Sequence, residues 1–152
     1  MQVRSIDVSP DAVEAVIVFD DGEPLRTSEA PGSAQRVLRE LPGLKGHRCD
    51  NDAGIGFREE IRDTEFAHLV EHAALEVMAL AGSPVDLRGW TRWDFAKDGH
   101  GVFRVAVTYD DDLVALGSLR AASLLVAWAV RGEGDPPAVM SEARRLRAVR
   151  RR

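Results

Sequence analysis

Cysteine is nearly absent from this chain. Its one thiol, Cys49, cannot form an internal disulfide, which agrees with a reducing compartment and sets aside the disulfide-stapled secreted class. The start does not resemble a signal peptide, because Met1 to Ser5 carry one arginine and no long apolar run follows. No segment reads as a bilayer span, so the expectation is a cytoplasmic protein with no membrane partner. Internal repeats and a domain-length linker are also missing. A chain of 152 residues suits one domain with a core large enough to hold without disulfides. The Gly54-Ile55-Gly56 stretch has no Lys-Ser or Lys-Thr pair after it and no clear strand before it, which argues against a phosphate cradle.

The charge is uneven. The whole chain carries −5, yet the last twelve residues hold six arginines against Glu142 alone, a local charge of +5 that leaves −10 on the rest. The reading is therefore one domain over residues 1–140 and an arginine-rich tail over 141–152. Such a tail could meet nucleic acid, an acidic polymer or the body's own carboxylates. No aromatic residue interleaves the arginines to stack on bases, so a nucleic-acid partner is disfavoured and a solvated helix end is the simpler expectation.

What the chain does contain is His68-Leu69-Val70-Glu71-His72, an H-x-x-E-H set inside a segment with helical signals. Positions four apart on a helix point the same way, so His68 and His72 could offer two neutral nitrogens to one divalent ion. Glu71, one position back, is then placed to handle a water, the inverted zincin arrangement. Catalytic zinc usually keeps three protein ligands and an open position. Glu76, one turn beyond His72, is the nearest third ligand by spacing. Cys49 is the alternative, since a thiolate suits zinc and His47-Arg48-Cys49 brings another imidazole with it. Asp94 and His100 are weaker options.

Around the motif, Asp63 or Thr64 can cap the helix start, and Gly82 followed by Pro84 ends it. Apolar residues occupy much of its circumference, which predicts burial, and buried polar groups need partners. Upstream, Val13 to Phe19 is the clearer of two extended segments between Val3 and Phe19. Asp20-Asp21-Gly22 turns the chain, and Pro24 to Thr27 would pair as a hairpin. Ser33 caps a short helix, Ala34 to Leu41, stopped by Pro42-Gly43. His47 to Phe57 reads as a loop or edge element. Val85 to Phe95 and Val102 to Tyr109 read as a hairpin, the second alternating cleanly, and Leu113 to Val130 as an apolar helix ending near Gly132. Trp90, Trp93 and Trp128 are expected mainly to pack. The order predicts an α+β two-layer sandwich, a mostly antiparallel sheet with helices on one face.

The stretch from His47 to Gly82 resembles the amino-terminal domain of cyanophycin synthetase. The matching residues are His47-Arg48-Cys49, Gly56-Phe57, Thr64, His68 through Glu76 read as HLVEHAALE, and Ala81-Gly82. Two departures are that family's Gly-Gly-Phe, here Gly54-Ile55-Gly56-Phe57, and the aromatic displaced to Phe66 after Glu65. The resemblance implies a domain that binds an arginine- and aspartate-containing peptide polymer and, in some members, cuts it as a slow zinc-dependent peptidase. Insulinase-type metallopeptidases share the inverted motif. On that reading His68 and His72 bind zinc, Glu71 works on water, and Glu76 completes or supports the site. The expected function is a stand-alone zinc-dependent peptidase-like domain, since nothing here resembles the ATP-grasp and ligase domains of the synthetase. A non-catalytic module that binds the polymer or a partner through a vestigial metal site is the alternative, and a metal-dependent lyase resembling the S-ribosylhomocysteine lyases is a third. A homo-oligomer is compatible with all of them.

Overall fold

Two strands rich in β-branched residues set the frame. In the computed structural model, which describes residues 1–49 and 54–150, β1 (Gln2–Val8) and β2 (Ala12–Val18) form a hairpin over a turn at Ser9 to Asp11. β3 (Gly89–Arg92) and β4 (Val102–Thr108) supply the remainder, and the sheet runs β1-β2-β4-β3 with every neighbouring pair antiparallel. Ala12 pairs with Thr108 and Val18 with Val102, which puts Val13, Ala15 and Ile17 on one face with Phe103, Val105 and Val107. Those six are core residues. The opposite face carries Glu14, paired at 2.8 Å with Arg92 and at 3.3 Å with Arg104.

Helices cover the apolar face. They are α1 (Ser33–Glu40), the one-turn α2 (Phe57–Glu60), α3 (Phe66–Leu80), the one-turn α4 (Phe95–Asp98), α5 (Asp112–Arg131) and α6 (Val139–Arg150). The fold is the α+β sandwich that the element order predicts. α3 and α5 lie side by side over the sheet and bring Leu69, Val70, Val77, Leu119, Leu125 and Val126 into the core. α5 is long and apolar enough by length and composition to cross a membrane, contrary to the expectation from sequence, but most of its apolar window is buried inside the fold.

Several boundaries differ from the sequence reading. Pro24 to Thr27 is not a strand beside β2, because β1 and β4 already take both edges of β2. Instead Arg26 bridges Glu65, and Phe66 N donates to Leu25 O at 2.8 Å and Thr27 N to Thr64 O at 2.9 Å. That pairing fixes the entry to α3, whose N-cap is Glu65 rather than Asp63 or Thr64. Val85 to Phe95 contains a strand of only four residues before α4 turns the chain. Phe57, expected in a loop, begins α2, while residues 50–53 of that expected loop lie outside the described residues. The arginine-rich segment from 141 is helical to Arg150, with Ala143 and Leu146 buried; residues 151–152 lie outside the described residues. Trp128 is buried and donates from Nε1 to Gly134 O at 2.9 Å, whereas Trp90 and Trp93 are 41% and 48% exposed.

Candidate metal centre

α3 carries His68, Glu71 and His72 on the side that meets Thr91 of β3, His47, Cys49 and Phe57. His68 Nε2 and His72 Nε2 lie 3.1 Å apart, and Cys49 Sγ lies 3.4 Å from His68 Nε2. One ligand atom from each of Cys49, His68 and His72 falls within 4.8 Å of the other two. Phe57, fully buried, stacks on the His72 ring with centroids 3.8 Å apart and meets His68 edge-on at 5.7 Å. An apolar ring thus backs the two imidazoles.

Both histidines turn Nε2 toward the cluster and Nδ1 toward a polar partner. His68 Nδ1 lies 2.8 Å from Thr64 Oγ1, with Glu60 Oε1 further off at 3.7 Å. His72 Nδ1 lies 3.1 Å from His47 Nδ1, and His47 Nε2 lies 2.8 Å from Glu76 Oε2. Burial, with His68 and His47 adding to it, pushes the His72 pKa down to about 2. The ring is therefore neutral at physiological pH and retains a lone pair.

This donor set fits zinc. A tetrahedral centre with Zn–N near 2.0 Å and Zn–S near 2.3 Å needs donor separations of about 3.3 Å between nitrogens and about 3.5 Å between nitrogen and sulfur. Two of the three observed separations, 3.1 and 3.4 Å, are close to those values, and the third, between Cys49 and His72, is within 4.8 Å. An outward Nδ1 held by a partner is the usual arrangement behind a metal-bound imidazole.

The other sequence candidates divide cleanly. Glu76 sits against His47, one ring away from the cluster, and Cys49 occupies the position beside His68 and His72. Asp94 caps α4 by accepting from Lys97 N at 3.1 Å, and His100 packs on Phe95 with centroids 5.1 Å apart. Glu71 lines the same cleft as the cluster. Burial pushes its carboxyl pKa up, opposed by a 2.6 Å hydrogen bond from Thr91 Oγ1 to Oε2. Sequence reasoning missed Thr91. The two-residue period of β3 puts Gly89 and Thr91 on one face, a signal that needs the strand register before it can be read.

The cleft holds about 740 Å³, and its lining includes Arg48, Glu60, Glu65, Arg88, Trp90 and Trp93. A family model for the cyanophycin synthase-like N-terminal domain matches residues 15–131. The chain belongs to this family. The matched span takes in every residue of the cluster and its partners, from His47 to Thr91, and leaves out β1 and all of α6. Similar proteins include the cyanophycin synthetase of Trichormus variabilis, 36% identical over 84 residues, covering 55% of this chain and 9% of that one. The cyanophycin synthetase of Geminocystis herdmanii is 38% identical over 80 residues, 52% of this chain and 9% of that one. That of Crocosphaera subtropica is 33% identical over 97 residues, 63% and 11% respectively. This member of the cyanophycin synthase-like N-terminal domain family thus aligns with about a tenth of the length of those relatives.

Proposed function

We propose that this chain is a zinc-dependent peptidase-like domain, acting in the cytoplasm, that hydrolyses a backbone amide in an aspartate- and arginine-containing polymer of the cyanophycin kind or in a related peptide. The observation that carries the reading is the convergence of Cys49, His68 and His72 with the buried Glu71 carboxyl on the same cleft wall. The relatives named cyanophycin synthetase support the choice of substrate.

Zinc, when bound, supplies Lewis-acid polarisation of an amide carbonyl and makes water more acidic. Cys49, His68 and His72 would hold it. Glu71 is the general base and then the acid, taking a proton on Oε1 and passing it to the leaving amine, because the Thr91 hydroxyl holds Oε2. β3 is an edge strand, so its outer backbone groups can align an extended peptide by main-chain hydrogen bonds. The exposed faces of Trp90 and Trp93 suit guanidinium groups, which stack on aromatic rings; the charged lining is mixed, with Glu60 and the Arg26-paired Glu65 beside Arg48 and Arg88.

The test uses protein purified without a histidine tag. Metal analysis should find stoichiometric zinc, and chelation should abolish cleavage of an aspartate–arginine peptide polymer. Glu71→Gln should lower cleavage by about 10²–10⁴-fold, the usual weight of a general base, and leave the metal content unchanged. A protein that neither contains zinc nor takes it up, or a Gln variant that still cuts, overturns the proposal.

A further inference from the structure

His72 is held from behind by a chain of two further groups. Its Nε2 faces the cluster, its Nδ1 meets His47 Nδ1 at 3.1 Å, and His47 Nε2 meets Glu76 Oε2 at 2.8 Å. Two ring nitrogens in contact share one proton, so one donates and the other accepts. The far end of the chain sets the direction. A carboxylate only accepts, so His47 carries its proton on Nε2 and donates it to Glu76. His47 is taken as a neutral ring: its Nδ1 is then a bare acceptor that only a protonated His72 Nδ1 can satisfy, whereas an imidazolium His47 would donate from both nitrogens and reverse the order. His72 Nε2 is left with an open lone pair directed toward Cys49 and His68. Thr64 does not impose the same order on His68, because a hydroxyl can donate or accept.

We propose that Glu76 and His47 form a one-way hydrogen-bond relay that fixes the tautomer and orientation of His72, so that both act as positioning residues and neither holds the ion. The relay gains its purpose from the zinc reading above and rests on it to that extent. A second observation shows how tightly the end of the relay is held. A Cβ placed on Gly43 would come within 1.9 Å of Glu76 Oε1, so the turn from Pro42 to Gly46 closes over the carboxylate with room for no side chain. The carboxylate has little space to swing away from His47.

Long-range proton–nitrogen NMR of the metal-free protein, labelled with nitrogen-15 and assigned by single histidine substitutions, reads each tautomer directly. His72 should carry its proton on Nδ1 and His47 on Nε2. Glu76→Ala should give a mixed His72 tautomer and weaken zinc binding, measured by competition with a chromophoric chelator, by about 10–100-fold, the usual effect of losing an outer-shell partner. Glu76→Gln keeps an accepting oxygen and should restore most of that loss. Gly43→Ala, which crowds the carboxylate without touching a histidine, should shift the tautomer in the same direction as Glu76→Ala. A wild-type His72 protonated on Nε2 overturns the relay, and that measurement needs no variant to fold. So does a Glu76→Ala protein with unchanged tautomer and unchanged zinc affinity, a result that leaves the metal centre standing. Correct tautomers in a protein that takes up no zinc would uphold the relay and sink the proposed function.

Discussion

Glu71 has almost no freedom of position. A Cβ on Gly89 would lie 2.5 Å from its Cγ, and the Thr91 hydroxyl donates to its Oε2. Two predictions belong to this single side chain. Gly89→Ala should fold but displace the carboxyl, and peptide cleavage should fall while zinc content holds, as metal analysis beside an activity assay would show. Thr91→Val removes a hydrogen bond that lowers the Glu71 pKa, so the acid limb of the pH–rate profile should move to higher pH. The same change should cost about 1–3 kcal/mol in urea unfolding, since a buried acceptor loses its donor. The pairing of Glu71 with His68 and His72 is legible in the sequence because it lies within one helical turn. Thr91 is 20 residues away in sequence, and only the packing of β3 against α3 brings it there.

At the scale of elements, helix ends show where the sequence speaks plainly. Asp111 accepts from Val114 N at 3.1 Å and starts α5, and Gly132, with φ of +70°, stops it at the position its sequence suggests. Asp111→Ala should cost about 0.5–2 kcal/mol by thermal or chemical denaturation, the usual weight of an N-cap. The start of α3 is different. Thr64, read as a cap, spends its hydroxyl on His68, while Arg26 clasps the junction through Asp63 Oδ1 at 2.7 Å and Glu65 Oε1 at 2.5 Å. The hydrogen bonds from Arg26 and Ser28 hold the Asp63 carboxyl below its usual 3.8. A lowered folded-state pKa contributes stability that is present above the unfolded value and lost as pH falls through the folded one. The pH dependence of stability below about 4 should therefore be shallower in Asp63→Asn than in wild type, read by unfolding at a series of acid pH values. The clasp was illegible because its two halves, residues 26 and 63–65, share no local pattern.

For the molecule as a whole, the C-terminal arginines look in composition like a detached tail, yet the apolar residues between them close the core. Leu146 is buried, and a Cβ on Gly117 of α5 would strike its Cδ2 at 2.4 Å, so α5 and α6 cross in close contact at that glycine. Leu146→Ala should cost about 2–5 kcal/mol in urea unfolding, the range for emptying a well-packed leucine site. Arg150 reaches back to Asp110 and to Ser83, tying the end of α6 to the start of α5 and the end of α3. Net charge could not reveal this. It counts the arginines but not the period of Val139, Ala143 and Leu146 beneath them.

The amino-acid sequence by itself determined the sandwich and the shared direction of His68 and His72, because strand alternation and helical periodicity are local and repeat within a few residues. The tertiary structure decided which third side chain lies beside them. A 3.6-residue helix turns a further 40° or so with each four-residue step, which carries Glu76 away from the cluster and into contact with His47. Cys49 instead arrives from 19 residues before His68, just after the turn at Pro42 to Gly46. That choice depends on burial and long-range packing, and neither is written in the spacing of the motif.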